Sequence, residues 1–109
     1  MPIDKNNAVI ERFQELLRSG KDYGVKYMYE EAAKIGFINS YTARKIVNKH
    51  YHSIISPDMI DFIYNKRLSG EEEIKGFSDN FDLCRRESIL IIRYIRYGKG
   101  ISRYFKSNK

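Results

Sequence analysis

The sequence predicts an all-α fold, a compact bundle of about six helices containing one or two helix-turn-helix units, and three observations point that way. Apolar residues recur at the three-to-four-residue spacing of a helix nearly throughout the chain. Only two prolines and seven glycines occur in 109 residues, which favours long regular elements over loops. Capping residues and glycines stand where helices of ordinary length would start and stop.

The first helix spans about Asn7 to Ser19, with Val9, Ile10, Phe13, Leu16 and Leu17 on one stripe and Gly20 closing it. The second follows Asp22, a good N-cap, turns Val25, Met28, Tyr29, Ala32 and Ile35 inward and ends at Gly36. A third starts after Ser40 and continues to about His52. The fourth has the clearest start: Ser56 caps, Pro57 takes the first helical position, and Asp58 meets the positive end of the dipole. Met59, Ile60, Ile63 and Tyr64 form its buried stripe, and Leu68 and Gly70 finish it.

The fifth helix covers about Glu71 to Phe81, with three acids in its first turn and Ile74, Phe77 and Phe81 inward. Gly76 in its middle costs about 1 kcal/mol relative to alanine. The sixth runs from about Cys84 to Tyr97 and stops at Gly98. Its Ile89-Leu90-Ile91-Ile92 block is rich in β-branched residues, and Gly98-Lys99-Gly100 could turn a hairpin into Ile101 to Phe105, as in a winged arrangement. A strand, however, would place Arg93 with Ile91 and Ile95, and Arg96 with Ile92 and Tyr94, leaving neither face clean. A helix gathers Arg85, Arg86, Arg93 and Arg96 into an arc of about 100°, opposite Leu83, Leu90, Ile91, Tyr94 and Ile95. Helix is the better fit. Residues 1–98 read as one helical domain and residues 99–109 as a basic C-terminal tail.

The single cysteine, Cys84, excludes an internal disulfide framework and fits a reducing compartment. The opening MPIDKNN lacks the apolar run of a signal peptide, and the Ile89–Ile92 block is far shorter than a bilayer requires. A cytoplasmic protein without a membrane partner is expected. Twenty Lys and Arg against fourteen Asp and Glu give a net charge of +6. From Leu83 onward the chain carries Arg85, Arg86, Arg93, Arg96, Lys99, Arg103, Lys106 and Lys109 against one acid, Glu87, so its last quarter holds +7 and the remainder −1. Concentrated cation on a near-neutral body suits a polyanionic partner, with a merely solvated tail as the alternative.

Catalytic chemistry is thinly represented. His50 and His52 are two apart and so fall on different helix faces, and neither Cys-x-x-Cys nor His-Glu-x-x-His occurs. Cys84 has no histidine near it in sequence. Two arginines and a helix start would favour its thiolate, but a small core or turn residue is the simpler reading. Glu71 to Glu73 read as a first-turn complement to the helix dipole. No catalytic residue, metal, cofactor or small-molecule substrate is expected.

Two segments carry the functional reading. In Glu31 to Asn48, EAAKIGFINSYTARKIVN, an alanine-rich helix stops at a glycine and a short turn leads into a basic helix. Ala43, Ile46, Val47 and His50 lie on one side of that helix; Tyr41, Arg44, Lys45, Asn48, Lys49 and His52 lie on the other, with Thr42 at its start. In Phe77 to Arg93, FSDNFDLCRRESILIIR, Phe77 and Phe81 are core positions, Asp82-Leu83-Cys84 is the turn, and Arg85 and Arg86 open the second helix. Both segments resemble the helix-turn-helix of bacterial DNA-binding proteins, in which small residues let two helices pack closely and glycine makes the turn. The first departs from that pattern in its turn, which, counted from Gly36 to Thr42, is one residue longer than usual. The second departs at Asp82, where glycine is common, and at Ser88, where a branched apolar residue is expected.

The resemblance implies a DNA-binding protein, a transcriptional regulator of prokaryotic or phage type or a mobile-element accessory factor, without a specific family. Arg44, Lys45, Lys49, Arg85, Arg86, Arg93 and Arg96 would meet phosphates or guanine edges, and Asn48 could grip adenine. Lys99 and Arg103 would track the backbone, and two copies could meet half-sites a helical turn apart. The same cations would also serve an interaction or assembly module with an acidic protein partner. Tyr94, Tyr97 and Tyr104, interleaved with arginines, leave open an RNA or single-strand binder. For the sixth helix the bland alternative is that its arginines bond local carboxylates among Glu71 to Glu73.

Overall fold

Six helices follow one another in the computed structural model, which describes residues 5–97. They are α1 (Lys5–Leu17), α2 (Val25–Gly36), α3 (Ser40–Ile54), α4 (Pro57–Asn65), α5 (Gly70–Phe81) and α6 (Arg85–Arg96), and no strand occurs among the described residues. The all-helical prediction therefore holds, including helix over strand for Ile89 to Ile92. None of the helices described is long and apolar enough to cross a membrane. The proposed basic tail, residues 99–109, lies outside the described residues. The chain divides into two compact units, with the boundary between His50 and Tyr51 inside α3.

In the first unit the α1 stripe is buried as its spacing predicts at Val9, Phe13, Leu16 and Leu17, while Ile10, at its edge, is half-buried. Phe13 stacks on Tyr29 of α2, with ring centroids 4.9 Å apart. Fully burying a side chain of this size contributes roughly 1.5–3 kcal/mol. The inner face of α2 is Met28, Tyr29, Ala32, Ala33 and Gly36. Two expectations fail there: Val25 and Ile35 are 44% and 48% exposed. Val25 is the first residue of the helix, where neighbours are fewest, and Ile35 lies about 90° from the centre of the buried face at 100° per residue. Nor does Asp22 cap α2, which starts after Gly24 with no side-chain cap bond. From α3, Ala43 and Val47 are fully buried, and His50 Nε2 lies 3.2 Å from Gln14 Nε2 of α1.

In the second unit Ser56 caps α4 as expected, accepting a bond from the Met59 N–H at 3.2 Å, with Pro57 in the first turn. The rest of the expected stripe is looser. Only Ile63 is fully buried in α4; Met59 and Ile60 are half-buried, and Tyr64 is exposed. The aromatic that packs is Phe62, edge-on to Phe77 and Phe81 of α5. The helix ends at Asn65, and Gly70, expected to finish it, opens α5 instead at φ 58°. Ile91, Ile92 and Ile95 supply the buried face of α6, together with two polar residues, Glu87 and Ser88. Glu87 is 1% exposed and accepts a 2.7 Å hydrogen bond from the Tyr51 hydroxyl, itself fully buried. Ser88 donates to the Cys84 carbonyl at 2.9 Å, so a hydroxyl is satisfied where the helix-turn-helix resemblance led to the expectation of an apolar side chain.

Candidate nucleic-acid interface

The α2–α3 turn is built by close packing followed by a forced reversal. A Cβ on Gly36 would meet Val9 Cγ2 at 2.7 Å, so glycine is required here for the approach of α1 rather than for backbone freedom. The left-handed residue is the next one, Phe37, at φ 54° and ψ 42°. The Phe37 and Ile38 N–H groups donate back to the Lys34 and Ala33 carbonyls at 3.3 and 3.1 Å, which satisfies the last carbonyls of α2. Asn39 then starts α3: its Oδ1 accepts from the Thr42 N–H at 2.8 Å. The turn between α2 and α3 is thus Phe37-Ile38-Asn39.

The same three-part turn closes α5 onto α6. Asp82 takes the left-handed conformation at φ 54°, which Asp tolerates better than most residues. Leu83 follows, its N–H donating to the Ser78 carbonyl at 3.1 Å and its own carbonyl accepting from the Ser78 hydroxyl. Cys84 is the cap, its Sγ accepting from the Glu87 N–H at 3.4 Å. This gives the cysteine a turn role.

Along α3 the expected division by face is present. Tyr41, Arg44, Lys45, Lys49 and His52 are exposed, while Thr42 and Asn48 are half-buried. Lys45 Nζ stands 4.5 Å from the centroid of the Tyr41 ring, a cation–π contact that holds the ammonium on the outer face. Among the described residues no carboxylate pairs with Arg44, Lys45 or Lys49. Of the two acids of α2, Glu31 is engaged by Lys34 at 2.7 Å and Arg12 at 3.5 Å, and these two cations, Lys34 foremost, hold its carboxyl below the usual range; Glu30 is exposed.

Along α6 the cations are differently placed. Arg85 grips Glu71 with both guanidinium nitrogens, one bond measuring 2.6 Å, which lowers the Glu71 pKa and raises that of Arg85. Arg96 pairs with Glu73, whose side chain is 5% exposed. Arg86 is half-buried and has partners of its own. Arg93 is exposed and forms no ion pair among the described residues. Lys99 and Arg103 lie outside the described residues. Of the two cationic faces the sequence suggests, α3 presents its charge outward and α6 spends two of its four arginines on α5.

Comparison of the chain with family models, curated proteins and solved structures finds no match.

One residue of this region was not in the sequence-derived set. Phe37 is 90% exposed, the most exposed large apolar residue of the described chain. The signal was Asn39 three residues before Thr42, an N-cap spacing that places Phe37 in the turn and not in the helix. Elsewhere, a shallow groove of about 560 Å³ runs beside α4 and α5, lined by Asp58, Asp61, Phe62, Asn65, Lys66 and Phe81 among others. Two carboxylates against one ammonium make it a poor seat for a polyanion.

Proposed function

We propose that the chain is a double-stranded-DNA-binding protein of helix-turn-helix type, a transcriptional regulator or a phage or mobile-element accessory factor, with α3 as its reading helix. The observation that carries this is the outer face of α3: Arg44, Lys45 and Lys49 exposed without acidic partners, on a helix anchored through Ala43 and Val47. Unpaired surface cations can replace condensed counterions on a duplex without first breaking a protein ion pair. Tyr41 and His52 add polar tips on the same face, and Asn48 stands at its margin. Arg85 and Arg96 of α6 pair with Glu71 and Glu73 of α5 instead.

The test is a salt titration of duplex binding, read by fluorescence anisotropy between about 50 and 200 mM salt. Wild-type affinity falls steeply with log salt. Changing Arg44, Lys45 and Lys49 together to Gln lowers the slope by about 2.7, at about 0.9 per phosphate contact, and weakens binding roughly a hundredfold. Absence of duplex binding at the lowest salt, or a triple variant that binds like wild type, overturns the assignment. In the first case an acidic protein becomes the partner to seek.

A further inference from the structure

We propose that Phe37 reads base identity, its ring packing against the 5-methyl group of thymine in the major groove at the N-terminal end of α3. This rests on the DNA-binding reading above and names a sequence-selecting residue for it. A phenyl ring that is 90% exposed contributes almost nothing to the core. It also occupies a left-handed backbone position, φ 54°, that disfavours every residue with a Cβ other than Asn and Asp. Glycine there would suit the fold better, so the ring's use lies outside the fold.

Its placement narrows the use. The Phe37 backbone is pinned by bonds from its own N–H and that of Ile38 to the end of α2, and Asn39 fixes the start of α3 immediately after it. The ring is therefore carried on a rigid corner at the end of α3 that reaches base edges first in this docking mode. Arg44, Lys45 and Lys49 bring a polyanion to that helix. Within a duplex, the one apolar group on the major-groove base edges is the thymine methyl, and phenylalanine is among the side chains that contact it.

The experiment begins with selection of preferred sites from a randomised duplex library by the wild-type protein, followed by Phe37→Gly on the selected site. The variant melts at the same temperature or higher, binds the selected site several-fold more weakly and keeps the wild-type salt slope. Replacing the selected thymines by uracil, which lacks only the methyl, costs the wild type about fourfold per methyl and leaves Phe37→Gly unaffected. A lower melting temperature for the variant makes Phe37 a fold residue and overturns the proposal. Equal uracil sensitivity in both proteins, or tighter binding to unpaired oligonucleotides than to duplex, overturns it as well. Loss of duplex binding in the Arg44, Lys45 and Lys49 variant alongside an unchanged Phe37→Gly profile removes only this inference. Failure of the triple variant to change binding removes the DNA reading itself.

Discussion

The α2–α3 and α5–α6 hairpins are closed by turns of one design, yet their second helices differ in where their charge goes. In each turn a left-handed residue is followed by an apolar one and then by a side chain that caps the next helix: Phe37-Ile38-Asn39 in one, Asp82-Leu83-Cys84 in the other. The packing of the preceding helix makes the difference: α5 lies against α6, whereas α2 touches α3 little beyond the turn, and of its two acids Glu30 forms no ion pair with an α3 cation among the described residues. Glu31 of α2 is satisfied by Lys34 and Arg12, so nothing from it reaches α3. Glu71 and Glu73 of α5 reach across to Arg85 and Arg96. A helical wheel tells which way a cation faces, but only the neighbouring helix decides whether its charge is available to a partner.

The largest contrast in stability is expected from matched arginine removals. Arg96→Met leaves the buried Glu73 carboxylate without its guanidinium and costs about 1–3 kcal/mol, whereas Arg44→Met stays within about 0.5 kcal/mol. Urea unfolding of the two variants measures this, and equal losses would erase the distinction between the hairpins. A second contrast concerns glycines in the first helix of each. Gly36→Ala drives a methyl to 2.7 Å from the fully buried Val9 and costs about 1–2 kcal/mol. Gly76→Ala meets the end of the half-buried Phe62 ring at 2.9 Å, and the gain of about 1 kcal/mol in helix propensity offsets the adjustment. Comparable destabilisation by both would show that α5 is packed as tightly as α2.

The smallest effect concerns acid. Arg85 lowers the folded-state pKa of Glu71 below its unfolded value, so the stabilisation is complete above the unfolded carboxylate pKa and is lost as pH falls through the folded one. Both groups are exposed, so solvent screens the pair. Arg85→Gln is expected to be slightly less stable than wild type at neutral pH and to converge with it in strong acid, followed by circular dichroism. A gap that widened on acidification would contradict the pairing.

Much of the fold was legible because its signals are local. Ser56-Pro57-Asp58 announces α4 within three residues, and the α1 stripe needs only the helical period. The α3 face was legible for the same reason, since Ala43 and Val47 set the inner side and the cations follow by angle. The α2–α3 turn was misjudged because Gly36 looked like a turn residue, although its constraint comes from Val9, far away in sequence. For the α6 arginines the sequence offered Glu71 to Glu73 as partners beside a DNA-facing role, and Arg85 and Arg96 take those partners, but pattern alone could not choose between the two. Arg85 meets an acid 14 residues away and Arg96 one 23 residues away, and no spacing rule within a helix connects such pairs.

The Tyr51–Glu87 bond has a consequence for how this protein can change over time. Both groups are buried and bonded to each other, so altering one alone removes a hydrogen bond from the other where water does not reach. Exchange of both for apolar residues of like shape, Phe for Tyr51 and Leu for Glu87, passes far more easily than either step alone. Lineages carrying this chain should therefore keep or lose the two together, a mark of common descent that surface charges, free to drift singly, would not preserve.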